Sequence, residues 1–397
     1  MKPDTIEKPA SILSYGLLVM TLTHTLTHAF GQMHTTLFPV LKDEFGLSYQ
    51  QLGVIAAIPP LCQSLLSIPT GLLSDRFGSK KMIIVSMVVA CAGSLLAGVT
   101  KDPLMFILAV SLLYVNTTIY HPASYSFTTR LFQPRDRSKA LGIHGAGGTF
   151  GMSIGPLSLA VLMGYFAFGW RQVYLFWFVP LLLGMVTVFL IRSEPTEDVE
   201  VKIDESKTQV QATKLLTASL AFFLVFSGIR MVGGGMITSF MSVYLVGTKG
   251  LSQTFASLVI GSSSLMGVFA APIGGFLTAR FGEKRWMIAM FALSYLSFGL
   301  AFAFPGTAPF VVLYLAYGFF GFLSMAANSA LMAQLSPSRQ RGLGYALFFL
   351  PGSIMGAVAP MIAAYIADAF GLLSIFMVSL AVYVVGLFVL HFGVKVD

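Results

Sequence analysis

The sequence predicts an all-α membrane protein, with twelve transmembrane helices in two pseudo-symmetric six-helix bundles. Three observations predict it. First, 56% of the 397 residues are hydrophobic and only 10% are charged, against about 25% charged in a soluble domain. Mean hydropathy is +0.82. Second, the apolar residues fall into twelve segments of about 20 residues or more, the length that crosses a bilayer core. Third, an eleven-residue segment recurs 204 positions later. So little polar surface excludes a soluble enzyme and a disordered chain.

The elements follow in chain order. A ten-residue tail precedes the first apolar segment, 12–40, which is too long for a signal-peptide core. Further spans are predicted near 51–73, 82–100, 104–129, 140–165 and 172–192. Residues 193–213 then break the pattern with six of the sixteen acidic residues, so they form a solvated cytoplasmic linker. The second set lies near 214–247, 252–278, 286–304, 309–334, 343–367 and 372–392. The domains are thus 1–192, a linker at 193–213, and 214–397. Cys62 and Cys91 sit inside apolar stretches, so neither a disulfide framework nor a cysteine metal cluster is expected.

Net charge is +8. Its placement explains it. With the N-terminus in the cytoplasm, nineteen Lys and Arg fall in inner loops and tails. Four, Lys42, Lys101, Arg171 and Lys249, fall outside. This asymmetry puts both termini in the cytoplasm and gives the basic excess a topological cause. No nucleic-acid partner is implied; the partner is the lipid bilayer.

The recurring segment reads GLLSDRFGSKK at 71–81 and GFLTARFGEKR at 275–285. Ala140-Leu141-Gly142 recurs similarly as Gly342-Leu343-Gly344, each after a basic loop. Parallel halves of this kind are one repeat arrangement of secondary transporters. In span 5, Gly147, Gly148, Gly151, Gly155 and Pro156 place small residues at helix-approach spacing before a bend. Span 11 echoes them with Gly352, Gly356 and Pro360.

The segment at 71–81 resembles the signature of the major facilitator superfamily between spans 2 and 3. The copy at 275–285 sits where that family carries its degenerate repeat. The resemblance implies the major facilitator fold. It also implies conformational gating by Asp75, Arg76, Gly78 and Lys80, with Arg280 in the second copy, where Ala279 replaces the aspartate. Gly151, Gly155 and Pro156 resemble the antiporter-associated motif, so they join the gating set. A narrower likeness, over about residues 20–165, is to the fosmidomycin-resistance branch of proton-driven exporters. It is carried by Leu22-Thr23-His24, by residues 38–53, and by Tyr120-His121-Pro122-Ala123. Two acidic positions of that branch are missing: Ala123 follows the His-Pro pair, and Thr27-His28 stand where an Asn-Asp pair is common.

No Asp or Glu falls in the middle of a predicted span. The ionisable groups at depth are His24, His28 and His121, with Arg230 in span 7. Such groups are costly in a bilayer unless they face a cavity or a partner. In span 1, Thr21, His24, Thr25, His28 and Gln32 share a helical face. Span 4 has Thr117, His121, Ser124 and Tyr125 on one stripe. Span 10 adds Tyr317, Ser324 and Asn328. The substrate-binding set is therefore His24, His28, Gln32, Thr117, His121, Tyr125, Arg230 and Asn328. His121, His28 and His24 are the proton-coupling set, because a neutral imidazole titrates near physiological pH. His34 and His391 are expected at the membrane interface, and His144 to serve entry or packing.

A cavity that is neutral to positive favours an anion, which Arg can hold with two parallel hydrogen bonds. The function predicted first is proton-coupled antiport by alternating access: efflux of a small or amphiphilic organic anion, drug-like or phosphonate-like, as in drug resistance. Proton symport uptake of an anionic metabolite, lipid-headgroup flipping and divalent-metal transport are the alternatives. His24 and His28 have a chelating spacing, but without carboxylate or cysteine ligands no metal is assigned. No enzyme activity and no cofactor are expected, since an ion gradient drives transport. The chain is expected to act as a monomer in a prokaryotic cytoplasmic (inner) membrane.

Overall fold

The structure, a computed structural model, describes residues 14–191, 217–335 and 341–396; the side chains at 75, 134, 135, 138, 341–351 and 353 lie outside this description. The linker 193–213 also lies outside the described residues. Every regular element described is helical.

The first half holds eight helices. These are α1 (Tyr15–His28), α2 (Met33–Thr36), α3 (Phe38–Phe45), α4 (Tyr49–Phe77), α5 (Ser79–Gly98), α6 (Pro103–Arg130), α7 (Pro134–Gly164) and α8 (Trp170–Phe189). The second holds α9 (Ala218–Gly247), α10 (Gln253–Phe281), α11 (Glu283–Ala303), α12 (Thr307–Leu323), α13 (Met325–Leu335), α14 (Arg341–Phe370) and α15 (Leu372–Phe388), which ends in a π-helical turn, Val389–Gly393. Ten stretches among the described residues are long and apolar enough to cross a membrane. The broken α1–α3 run and α14 complete the twelve predicted spans. Exposed Leu65, Ile68 and Phe276 form the kind of apolar exterior that lipid requires and water would penalise.

Local chemistry sets the helix ends. Ser48 and Gln51 form a reciprocal capping box at the start of α4, which satisfies two orphan amides. Asp102 accepts from the Met105 amide at the start of α6. Gly78 and Gly282 occupy equivalent places in the repeated segment, with φ of +84° and +80°. Only glycine adopts such angles without strain, so each lets the chain turn sharply from one span into the next.

Two of the spans read as continuous are interrupted. Residues 12–40 were expected as one helix, but the helix stops at His28 and restarts as α2 and α3. Pro39 supplies a reason for the second interruption, between α2 and α3. It lacks the amide that would bond the Thr35 carbonyl one turn back, and Ser242 Oγ donates to that carbonyl instead, at 2.5 Å. Span 10 breaks similarly at Ser324, where the indole of Trp286 donates to the Leu323 carbonyl at 2.9 Å.

Between the halves, α4 packs on α14 and α7 on α10. Small residues allow both contacts: a Cβ at Gly53 would come within 2.7 Å of Ala364 Cβ, and one at Gly261 within 2.7 Å of Leu157. At the end where α3 lies, polar side chains join the halves. Gln32 Nε2 donates to Ser264 Oγ at 3.2 Å, and Gln253 Nε2 donates to the Thr36 carbonyl at 2.8 Å.

Candidate functional site

The glycines of α7 determine where α1 lies. A Cβ at Gly155 would fall 1.8 Å from the Ala29 carbonyl oxygen, and one at Gly151 2.3 Å from that of Thr25. A Cβ at Gly148 would strike the His24 ring at 2.6 Å. No other residue permits this approach. As a result His24 and His144 stack, with ring centroids 4.1 Å apart and planes 12° from parallel. His144 is fully buried. The expectation that it serves only entry or packing missed this partnership, because the contact depends on how closely two helices meet.

The helix α6 brings the third and central imidazole. Pro122 leaves the Thr118 carbonyl without its helical donor, and Thr70 Oγ1 of α4 donates to that carbonyl at 3.3 Å. Next to this joint, His121 Nε2 lies 3.3 Å from His24 Nε2 and 3.1 Å from His28 Nε2. His24 Nδ1 lies 2.7 Å from the His144 carbonyl oxygen. A carbonyl only accepts, so Nδ1 carries the hydrogen and Nε2 of neutral His24 presents a lone pair. Tyr125 stacks beside His121, at 6.0 Å between centroids. Tyr120 donates to the Met20 carbonyl at 2.8 Å and meets Thr23 at the same distance, fixing α6 to α1 on the buried side.

Arg230 occupies a different environment. Its guanidinium lies over the Phe291 ring, 5.5 Å from the centroid. It is within electrostatic reach of the phenols of Tyr295, Tyr317 and Tyr383. Tyr317 and Tyr383 share a 2.9 Å hydrogen bond, and Tyr295 stacks on Tyr383 at 4.3 Å. Arg230 Nε, Tyr295 Oη and, one turn before Arg230, Ser227 Oγ are buried without a hydrogen-bond partner among the described residues. Each can donate a hydrogen bond. The sequence had offered Tyr317 but not Tyr295 or Tyr383, which lie in spans where tyrosine reads as ordinary aromatic core.

Comparison with known proteins decides the family. The sequence profile of the Major Facilitator Superfamily matches residues 20–252 and 227–396. The chain belongs to the major facilitator superfamily. It is similar to the fosmidomycin resistance protein of Escherichia coli, 25% identical over 378 residues, which cover 89% of this chain and 87% of that one. It is likewise similar to the nitrite extrusion protein of Bacillus subtilis, 25% identical over 90% of this chain and 88% of that one. Among solved structures, a bacterial homolog of the human lysosomal transporter Spinster, inward-facing and occupied, superposes with a TM-score of 0.82 at 16% identity, covering 96% of each chain. That likeness concerns the fold. Membership makes this chain a multi-pass membrane transporter and not an enzyme.

The facilitator's remaining predicted residues fall into place unevenly. The set His24, His28, His121 and Tyr125 is brought together. Thr117 Oγ1 accepts from Gln63 Nε2 at 2.8 Å and itself donates to the Tyr114 carbonyl, which ties α6 to α4. Gln32 is engaged by Ser264. Asn328, on α13, has its Oδ1 buried without a partner. Among the described residues Arg230 makes no bond or ring contact with the histidines; it lies with the tyrosine group. In the repeated segment, Lys80 Nζ donates to the carbonyls of Phe189 and Ile191 at 3.3 and 2.6 Å. Its counterpart Lys284 donates to those of His391 and Val394 at 2.9 and 2.5 Å. Each lysine therefore caps the end of the last span in its own half. Arg76 and Arg280 each lie over the phenylalanine that follows them, both at 5.6 Å. The Asp75 side chain lies outside the described residues. His391 is exposed in the π-helical turn that ends α15. His34 is not interfacial: it is 2% exposed and packs edge-on against Tyr114 and Phe38. It lies in the short helix α2, beyond the break after His28.

Proposed function

We propose that the protein exports a small or amphiphilic organic anion in exchange for protons by alternating access, from a prokaryotic cytoplasmic membrane with both termini inside. The observation that carries the anion is Arg230. A guanidinium in a spanning helix, with a buried N–H that meets no acceptor among the described residues, is costly unless an anion completes it. The free donors of Tyr295 and Ser227 have the same polarity, and neither they nor Arg230 forms an ion pair or hydrogen bond with a carboxylate among the described residues. Nitrite, in the name of one relative, is also an anion, and the fosmidomycin-resistance likeness supports efflux.

The mechanism follows from two unlike halves, 1–192 and 214–397, rocking against each other. An anion reaching Arg230 from inside receives a bidentate hydrogen bond and the phenol donors. A proton reaching the imidazoles from outside is held at a ring nitrogen of His121, His24 or His28. No cofactor is needed, because the proton gradient supplies the work. The halves swing on the glycine-lined contacts of α4 with α14 and α7 with α10, and Gln32, Gln253 and Ser242 unfasten at the α3 end.

Counterflow of radiolabelled anions in proteoliposomes tests the proposal. Wild-type protein should exchange at least one of a set of phosphonates, carboxylates and inorganic anions. Arg230→Ala should lower that exchange about 100-fold, the loss of a charge-assisted pair. Equal exchange with and without Arg230 would rule it out.

A further inference from the structure

We propose that His24, His28 and His121 form a binding site for one divalent transition-metal ion, with zinc as the best match, which blocks the coupling histidines when bound. No metal had been assigned from the sequence, because carboxylate and cysteine ligands are absent. The geometry supplies what the composition lacked.

Three points support it. The first is distance. Tetrahedral zinc holds imidazole nitrogens at about 2.0–2.1 Å, which sets the nitrogens about 3.3 Å apart. Here the two Nε2 separations from His121 are 3.3 and 3.1 Å, and the ligand atoms of all three residues lie within 4.8 Å of one another. The second is the hydrogen inventory. His24 donates from Nδ1 to the His144 carbonyl, leaving an Nε2 lone pair. His121 Nε2 faces that lone pair at 3.3 Å. His121 Nε2 also faces His28, and one ring nitrogen cannot serve both neighbours. One proton relieves one of these contacts; one metal ion accepts all three lone pairs. The third is support around the ligands. A backbone carbonyl behind a ligating imidazole fixes its tautomer and orientation. Gly148 packs against the His24 ring, with space for no side chain between them. Three histidines leave a fourth position for water or an anion, the arrangement of an open zinc site. Imidazole donors suit zinc, nickel, copper and cobalt rather than calcium or magnesium.

Metal and proton need the same lone pairs, so a bound ion should stop proton-linked exchange. The site is separate from Arg230, and the binding test uses no transported anion. Failure of the anion proposal would therefore leave its result unchanged.

Cobalt is the probe. Purified full-length protein in detergent is titrated with Co²⁺, and the visible bands of a tetrahedral nitrogen-ligated site are followed. Zn²⁺ is then added to displace it. One equivalent should bind in wild type and be displaced by zinc. His121→Gln should weaken cobalt binding at least about 100-fold, and His28→Gln at least about tenfold. His391→Gln, at an exposed distant site, should leave it unchanged. Thermal melting without metal checks that each variant is folded. The proposal is overturned if folded wild type gives no tetrahedral cobalt spectrum. It is equally overturned if the spectrum survives both His121→Gln and His28→Gln, or if His391→Gln alone removes it.

Discussion

The two halves share a repeated segment, its glycine turns and its lysine caps, yet they place opposite chemistry at membrane depth. The first half gathers four imidazoles, His24, His28, His121 and His144. Each can donate or accept, and each can gain or lose a proton. The second half holds one guanidinium among phenols, a set that donates and keeps its charge at any physiological pH. The halves are alike in scaffold and unlike in the side chains they place at the site. On the proposed mechanism, the half that titrates takes the proton and the half that does not takes the anion. Proton and substrate can then alternate without sharing one residue.

The largest effects should come from exchanging these roles. Arg230→Ala should depress anion exchange by a similar factor at every pH. His121→Ala should instead leave downhill exchange within a few-fold of wild type. It should also lower pH-gradient-driven transport at least about 100-fold, the scale of a lost proton-transfer group. Measuring both variants at several imposed pH gradients separates the halves. If both lose the same pH dependence, the division of labour is wrong. Arg230→Lys keeps the charge but loses the planar fork, so it should stay about tenfold below wild type.

Next come the glycines that hold the histidine half together. Gly155→Ala pushes a methyl group into the Ala29 carbonyl, and Gly151→Ala into that of Thr25. Overpacking of this kind costs about 1–3 kcal/mol. Gly142→Ala meets nothing within 4 Å, and alanine is the better helix former, so it should be neutral or slightly stabilising. Thermal melting in detergent should order the variants Gly142→Ala, then Gly151→Ala and Gly155→Ala. An equal Tm for Gly155→Ala and Gly142→Ala would show that α1 and α7 do not meet this closely.

Much of this was legible beforehand, for identifiable reasons. The spans, the repeat, and the shared faces of His24 with His28 and of His121 with Tyr125 depend on local periodicity, which a sequence displays directly. What it did not display depends on where helices meet. His144 looked peripheral until the α7 glycines brought it over His24. Tyr295 and Tyr383 carried no sequence signal and came into view only where α11 and α15 meet. Lys80 carried a signature that suggested gating, and its partners proved to be carbonyls more than a hundred residues away. The break after His28 was hidden because the broken segment is as apolar as a continuous one. Pro39 points only to the later interruption, between α2 and α3.

The lysine caps test the symmetry of the scaffold itself. Lys80→Ala exposes the carbonyls of Phe189 and Ile191, and Lys284→Ala those of His391 and Val394. A cation at a helix C-terminus contributes about 0.3–1 kcal/mol. The two variants should therefore lower Tm by similar small amounts. The double variant should be additive, since the caps lie in separate halves. Unequal losses would mean that one lysine has another task.

The smallest effect separates the two halves by pH. Only the first half has an ion-paired carboxylate among the described residues at the α3 end. Glu44 accepts from Arg171 Nη2 at 2.5 Å and from the Trp170 indole at 2.6 Å. Burial raises the Glu44 pKa, but those hydrogen bonds and the Arg171 charge outweigh it and hold the carboxyl below its ordinary value. A lowered pKa means that the folded protein favours the ionised form. The stabilisation is therefore complete above the ordinary carboxylate pKa and is lost as pH falls through the lower, folded value. Both side chains are about one-third exposed, at 31% and 35%, so solvent screening limits the pair to about 1 kcal/mol or less. Glu44→Gln should lower Tm slightly at pH 7 and make no difference once acid has neutralised the wild-type carboxylate. A deficit that instead persists unchanged into acid would assign the stabilisation to the neutral hydrogen bonds rather than to the charge.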